Sequence, residues 1–571
     1  MEALPPSSTN GNDHSAKCIV HSRSIEVPPV DLLTYAFERE REFDQGRKLY
    51  IDAEDVTLAL TGPQVINNVK QLIAGLKAAG VAKGDSVFYT CLYFAIIGSG
   101  AVYTGANPGH TVFELTHFFS LCETRVVITV PDYLEAAKEA CQALPNSNIK
   151  IFVLDEAAQS ELLKSRGELD AAILPPTAVE DVVAPLSCAG SPSVTSLLSH
   201  GFSDWMRINN EQTARDTTAC MFPTSGTTGL PKLCRLSHYS EVAKDIAIQS
   251  EGKDYEVKTL MTLPLFHIFG AALVHINPLR RGEPVYILPR FDLKKFANAI
   301  QEHSITDTAT TPLIVLNMLK SGLPLSDLLS SLRFIWCGSS PIDAAVLNKF
   351  YEVLSPRAIV TGLWGMSEIG GLTFFKFPER DTTGSVGRLS PGATIKLIDD
   401  MGNIITTENT PGEAWARSPQ VMASYYKNTV ATSDMIQDGW LCTGDICYVS
   451  SGKWYVIGRK KELIKVSGWQ VAPAELEAVL LSHPKIMDAA VLGVKTVDNE
   501  MPRAFVVRMP TVGDADSEGG LGEAEVRTFM GERLAKYKSL HGGIVFLDAI
   551  PKNDMGKTQK TKLIEMYQYV A

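Results

Sequence analysis

The chain has 571 residues, 45% hydrophobic and 20% charged, and its 53 basic and 64 acidic side chains leave a formal net charge of −11. That length exceeds what one hydrophobic core fills, so two or more domains are expected. The acidic balance argues against nucleic acid as a partner, because binding its phosphates needs basic surface.

Met1–Lys17 is polar, carries Pro5-Pro6 and lacks the apolar stretch of a signal peptide. A flexible segment over 1–30 is expected. Ser86–Thr90, Val126–Thr129 and Ile149–Leu154 read as short strands, the last two followed by acidic, helix-like sequence. Such alternation predicts an α/β chain with covered sheets. Pro175–Ser199, rich in Pro, Ser and Ala, reads as an irregular surface excursion. Met261–Leu279 is mostly apolar, but Pro264, His267, His275, Asn277 and Pro278 favour a buried strand–loop–helix over a membrane span. Leu332–Trp336 reads as a strand, and Gly384–Trp415 as a small β unit with a turn at Asp399–Asn403.

The character changes near Arg459. Pro473–Leu481 reads as a helix, Met487–Val494 and Arg503–Arg508 as strands, Glu523–Tyr537 as an amphipathic helix and Ile544–Leu547 as a strand. A large domain over 31–458, a hinge at 459–461 and a small α+β domain over 462–571 are expected. The ten cysteines form no Cys-x-x-Cys pair, so they read as reduced thiols of a cytoplasmic protein. The last residues, Tyr-Val-Ala571, lack a peroxisomal Ser-Lys-Leu address.

The most informative stretch is Thr224-Ser-Gly-Thr-Thr-Gly-Leu-Pro-Lys232, entered through the apolar run Ala219–Phe222. Gly226 and Gly229 let backbone N–H groups curl toward an anion. Thr224, Ser225, Thr227 and Thr228 add hydroxyls, and Lys232 adds a charge. Leu230-Pro231 separates Gly229 from Lys232, so this is not the nucleotide loop in which Gly and Lys are adjacent. The string resembles the phosphate-binding signature of the adenylate-forming superfamily. Its members include acyl-CoA synthetases, firefly-type luciferases and peptide-synthetase adenylation domains.

Seven later blocks match that superfamily in order. Leu263–Gly270 resembles the region of the acyl pocket in 4-coumarate–CoA ligases, with His267 at the pocket. Its apolar neighbours disfavour an α-amino acid, whose ammonium would be desolvated there. Cys337-Gly-Ser-Ser-Pro-Ile342 resembles the loop against adenine, implying roles for Gly338, Ser339, Ser340 and Pro341. Thr361–Ile369 resembles a motif in which Ser367 contacts the α-phosphate, Glu368 holds Mg2+ and Trp364 lies along the adenine. Gly362 stands where the family often has Gln, and Leu363 where many members have Gly. Ile369 at the fifth position of Gly-x-Ser-x-Ile argues against a serine-hydrolase elbow.

In Asp438–Ile446 the resemblance implies that Asp445 holds the ribose hydroxyls. In Gly458–Lys465 it gives Arg459 to the ribose and Lys461 to the hinge. Lys465–Pro473, with Ser467, Gly468 and Trp469, resembles the segment lining the pantetheine tunnel, and Lys465 and Gln470 match positions near the adenylate. Lys557, in Ile550–Lys557, matches the catalytic lysine. From Gly84 to Pro108 the chain is shorter than this family usually runs, so Tyr89–Ile97 must serve as both strand end and helix start.

The resemblance therefore implies ATP, Mg2+ and coenzyme A, and a small carboxylic acid joined to a thiol through an acyl-adenylate, with the small domain rotating about Lys461 between half-reactions. Phe269, Leu273, Leu363 and Ile369 suggest an apolar acyl pocket. No clear group for a phenolic hydroxyl stands out. The alternatives are an adenylation enzyme that loads a carrier-protein thiol in trans, a luciferase-like oxidase, and a degenerate inactive relative.

Overall fold

The computed structural model describes residues 19–38, 43–80, 86–88, 92–145, 148–163, 187–188, 190–224, 231–249, 252–466, 469–495, 500–509, 521–553 and 556–567. Two large sheets carry most of the chain. A seven-stranded sheet includes Thr124–Thr129, Lys150–Val153, Ser86–Phe88, Val102–Thr104, Thr218–Pro223 and Leu233–Ser237. A nine-stranded sheet has Thr259–Met261, Asp307–Thr310, Phe334–Cys337 and Ile359–Met366 as parallel neighbours near its middle. The helix His238–Ile248 contacts strands of both sheets and is buried along almost its whole length. Its start is fixed by the reciprocal cap of Ser237 and Ser240. Mostly parallel sheets with a helix packed between them belong to the α/β class expected from the alternation.

Every strand expected before residue 160 is present, with ends shifted by one or two residues. The short crossover is accommodated. Ser86–Phe88 and Val102–Thr104 pair in parallel, and among the described residues between them is the six-residue helix Tyr93–Gly98, all of it buried. Residues 81–85 and 89–91 lie outside the described set, as does most of Pro175–Ser199, in whose last part Thr195–Leu198 is helical. Met261–Leu279 is the expected strand–loop–helix: Thr259–Met261, then helices Ile268–Val274 and Asn277–Arg281. No helix among the described residues is long and apolar enough to cross a membrane.

The expected β unit is part of a six-stranded sheet. It joins Thr394–Ile398 and Gly412–Arg417 to Trp440–Ser450 and Lys453–Arg459. Ile19–His21, inside the segment read as flexible, pairs antiparallel with Thr394–Lys396. Further along, the hairpin Ile464–Val466/Trp469–Val471 and the three-stranded sheet Ile486–Lys495/Glu500–Arg508/Ile544–Leu547 share a core of their own. The helix expected over Glu523–Tyr537 stops at Gly531, and a short turn Lys536–Lys538 follows. Glycine disfavours continuation there.

Two glycines separate the cost of a positive φ from the cost of lost space. Gly387 has φ +105°, and a Cβ there would stand 2.2 Å from the Phe374 carbonyl carbon. Gly402, in the Asp399–Asn403 turn, has φ +87° with nothing within 4 Å. Gly402→Ala is expected to cost about 1 kcal/mol from conformation alone. Gly387→Ala should cost about 3 kcal/mol or more, because two strands must part. Apparent melting temperatures of the two variants check the difference.

Candidate active site

The phosphate-loop candidates join two antiparallel strands in which Pro223 faces Leu233. Thr224 closes the neck of the loop. Its N–H donates to the Lys232 carbonyl at 2.8 Å, and its hydroxyl accepts from the Lys232 N–H at 3.2 Å. Ser225, Gly226, Thr227, Thr228 and Gly229 lie outside the described residues. Lys232 Nζ sits 4.6 Å from the centre of the Tyr425 ring, a cation–π contact. The Tyr425 hydroxyl donates to Glu368 Oε1 at 2.6 Å. Burial, then the Glu368 charge, raise the Tyr425 pKa, so the phenol keeps its proton. The Ser367 hydroxyl donates to the Pro223 carbonyl at 3.3 Å. The Ser367–Glu368 turn is thereby tied to the strand that feeds the loop.

Glu368 is 5% exposed. Its Oε2 makes no hydrogen bond among the described residues, while Oε1 is taken by Tyr425. No cluster of three or more His, Cys, Asp or Glu among them could hold a metal alone. One open carboxylate oxygen beside a phosphate loop suits magnesium, which takes few protein ligands and fills its shell with water and phosphate. The residues present fit that ion.

The ribose candidates meet by strand register. Asp445 and Arg459 are directly opposite each other on Trp440–Ser450 and Lys453–Arg459. Arg459 Nε donates to Asp445 Oδ1 at 2.8 Å, and the Trp364 indole N–H donates to Oδ2 at 2.8 Å. Arg459 is also tied to the Thr443 carbonyl at 3.1 Å. Asp445 is 4% exposed. Burial pushes its pKa up, and the Arg459 charge and the Trp364 bond pull the other way. Trp364 is itself buried and lies beside Trp454, with ring centres 6.4 Å apart. Its indole N–H serves Asp445.

Lys557 lies on a loop pinned at its base. Its N–H donates to Asn553 Oδ1 at 2.9 Å, and its carbonyl accepts from the Asn553 N–H at 2.8 Å. The neighbouring Gly556, at φ +74°, packs on Leu313 of the large part, where a Cβ would stand 2.8 Å from Leu313 Cδ2. Lys320 Nζ, also from the large part, donates to the Ile486 carbonyl at 2.8 Å. The ammonium of Lys557 is within electrostatic reach of Arg459, Asp445, Glu462, Glu368 and His267. Lys557 is exposed. Burial, then Arg459, lower its pKa, and the three carboxylates oppose them. Burial, then Lys557, push His267 down to about 4. His267 Nδ1 accepts from the Phe269 N–H at 3.2 Å, which puts the proton of the neutral ring on Nε2.

An apolar wall begins two residues past His267. A Cβ on Gly338 would stand 3.0 Å from the Phe269 ring and 3.4 Å from Leu363 Cβ. Leu273 belongs to the same cluster as Phe269 and Leu363. Ile369 does not: it is fully buried in the main core with Trp364 and Tyr425. Gly362 has a structural reason. A Cβ there would meet the Ser385 carbonyl oxygen at 2.8 Å, so a larger side chain such as glutamine has no room.

A family model for AMP-binding enzymes matches residues 38–426, and one for the AMP-binding enzyme C-terminal domain matches 475–557. The chain belongs to the AMP-binding enzyme family. It is 36% identical to the acyl-CoA ligase azaF of Aspergillus niger, covering 95% of this chain and 99% of that protein. It is also 36% identical to the phenylacetyl-CoA ligase epaB of the same species, covering 95% and 97%. Among solved structures, ATP-bound MatB from Rhodopseudomonas palustris superposes with a TM-score of 0.77 at 22% identity, covering 95% of this chain and 99% of that one. The chain is an AMP-forming acid–CoA ligase, using ATP and coenzyme A on a small-molecule acid.

In this AMP-binding enzyme the loop Gly338–Pro341 leaves the strand Phe334–Cys337 at its C-terminal end, where open α/β sheets bind ligands. Ser339 takes φ +79°, uncommon for a residue with a Cβ, while Ser340 and Pro341 are exposed on the lip. Lys465 and Gln470 face each other across the hairpin Ile464–Val466/Trp469–Val471. Gln470 Nε2 donates to Asp400 at 3.5 Å, and neither residue contacts Lys557, His267 or Asp445 among the described residues. Trp469 is 58% exposed and stacks on Tyr537 at 4.9 Å; Ser467 and Gly468 lie outside the described residues. Lys461 is exposed in the turn after Arg459, and Lys460 pairs with Glu413 at 2.8 Å. Tyr425 is the functional neighbour that sequence reading missed, since it lies in no motif and meets Glu368 only through the fold.

Proposed function

We propose that this ligase activates an apolar aryl, arylalkyl or medium-chain carboxylic acid and passes the acyl group to the thiol of coenzyme A. The convergence of Lys557 on His267, Glu368, Asp445 and Arg459, beside the Phe269–Leu363 wall, carries this reading. The family relative named a phenylacetyl-CoA ligase supports an aryl acid.

In the first half-reaction a carboxylate oxygen attacks the α-phosphorus of ATP, and the bond to pyrophosphate breaks. Two anions must be held together, so the protein's part is positioning and charge stabilisation. Lys557 bridges the acid carboxylate and the α-phosphate. His267 donates Nε2–H toward the carboxylate, and Ser367 contacts the α-phosphate. The Thr224–Lys232 loop steadies the leaving pyrophosphate. Glu368 holds Mg2+, with Tyr425 fixing its orientation. When bound, magnesium neutralises phosphate oxygens. Asp445 accepts from the ribose hydroxyls. In the second half-reaction the thiol sulfur attacks the acyl carbonyl carbon, the carbonyl–AMP bond breaks, and the thiol proton passes to solvent. Rotation of the segment after the hinge at Lys461 would bring Lys465, Gln470 and the Trp469 region to the adenylate for this step.

ATP–pyrophosphate exchange over a panel of acids tests the reading. Thioester mass is then read with coenzyme A and, separately, with a carrier protein. Exchange with no apolar acid would sink the substrate class, and thioester formation on the carrier protein alone would replace coenzyme A. Pocket shape gives a further expectation. Gly338→Ala pushes on the Phe269 ring, so kcat/KM for ring-bearing acids should fall by about tenfold. Short straight acids should lose much less.

A further inference from the structure

Two opposite charges of the nucleotide site meet on one tyrosine. Tyr425 is buried in the main core. Its two-residue strand, Ser424–Tyr425, pairs with Leu233–Ser237, which begins directly after Lys232, and Tyr425 stands opposite Cys234. The Tyr426 N–H donates to the Leu233 carbonyl at 2.8 Å, and the Met422 N–H donates to the Glu368 carbonyl at 2.8 Å. The segment 422–426 is therefore fixed by its backbone to the strand that follows the phosphate loop and to the turn that carries Glu368. Between these anchors the Tyr425 ring takes the Lys232 ammonium on its face and gives its hydroxyl to Glu368 Oε1.

That arrangement holds apart two groups that attract each other. Among the described residues neither Lys232 nor Glu368 is in an ion pair. Yet their charges reach a common point. Burial holds the Cys234 thiol well above its ordinary pKa; the Glu368 charge adds to this, and Lys244 and Lys232 oppose it. Two other cations of the region are already committed. Lys244, buried, donates to Glu241 at 2.7 Å, and Arg459 is held by Asp445 at 2.8 Å. If Glu368 were released, the flexible Lys232 side chain would be its open partner. Once paired, the two would have to part before a metal-bound phosphate could be taken, and that cost comes out of the binding energy. A phenol prevents the pairing because its ring face suits a cation and its hydroxyl suits a carboxylate.

We infer that Tyr425 is a positioning residue that keeps Lys232 and Glu368 apart before the nucleotide binds, leaving the ammonium to pyrophosphate and the carboxylate to magnesium. The inference rests on the proposed assignments of those two residues.

Pyrophosphate binding, measured by calorimetry in EDTA so that no metal takes part, tests it. Tyr425→Phe keeps the ring and removes only the hydroxyl, which releases Glu368 toward Lys232. Its Kd for pyrophosphate should rise by about fivefold, the worth of one part-exposed ion pair. In a Glu368→Gln background the same change should leave Kd within about twofold, because the two effects are coupled through the carboxylate. A tyrosine that merely fills the core would give equal losses in both backgrounds, and that result overturns the inference. So does an unchanged Kd in Tyr425→Phe, which would mean that Glu368 stays in place or turns to Lys557. Lys232→Ala separates these outcomes from the reading beneath them. Weaker binding in that variant, with no coupling between Tyr425 and Glu368, refutes the spacer alone. If Lys232→Ala binds pyrophosphate as the unaltered enzyme does, the loop assignment falls and the inference falls with it.

Discussion

Lys557→Ala should lower acyl-adenylate formation by about 10²- to 10³-fold, the usual effect of removing one transition-state charge donor. Thioester formation from preformed acyl-AMP should stay within a few-fold. The asymmetry follows from the groups that act electrostatically on Lys557. They include Asp445, Glu368 and His267, here proposed for the ribose, the metal and the acyl pocket, so on that proposal its charge lies where carboxylate and α-phosphate meet. Once the anhydride exists, attack by the thiol no longer brings those two anions together. Equal loss in both half-reactions would reject the role.

The same residue predicts a pH limb. Lys557 acts as the cation, and burial and Arg459 lower its pKa from the ordinary 10.5. Adenylation should therefore fall as pH rises through a value below 10.5, where the ammonium loses its proton. Bound ATP and carboxylate favour the charged form, so the limb should lie higher for kcat than for kcat/KM. Lys557→Arg should remove the limb, since guanidinium keeps its charge. A limb unchanged in that variant would assign it to another group.

Legibility differs between the parts of the site. The phosphate loop, Ser367–Glu368, Asp445 and Lys557 stand out in the sequence because each is a particular residue within a local string, and the structure sets Ser367 on the Pro223 strand and Asp445 against Arg459. Tyr425 and the Trp364–Asp445 bond do not stand out. They depend on strands far apart in sequence, and a tyrosine in the two-residue strand Ser424–Tyr425 carries no local signal. The strands of the large sheets were readable because apolar runs between turn residues have few other uses. The end of the helix at Gly531 was not, because apolar periodicity continues past the point where glycine ends it. Ile369 shows the limit of reading a pocket from neighbours in sequence. It follows Glu368 yet points into the main core, while Leu363, six residues earlier, faces Gly338.

Asp445→Ala should raise KM for ATP by about 30- to 100-fold, from loss of charge-assisted bonds to the ribose hydroxyls. KM for the acid should change little, because Phe269 is on the helix Ile268–Val274 and Leu363 on the strand Ile359–Met366, apart from the strands that carry Asp445 and Arg459. Asp445→Asn should fare scarcely better. Asp445 sits between two donors, Arg459 Nε and the Trp364 indole N–H, and an amide has one acceptor end to offer them. The alanine variant also leaves the Trp364 N–H buried without a partner, which costs about 1–3 kcal/mol. Arg459 adds less, since its side chain is 36% exposed and can turn to water. Adding Trp364→Phe removes the orphaned donor. The double variant should recover apparent melting temperature while its KM for ATP stays high. Recovery of both together would mean that Asp445 serves only to hold the two strands, and recovery of neither would place the damage outside the Trp364 bond.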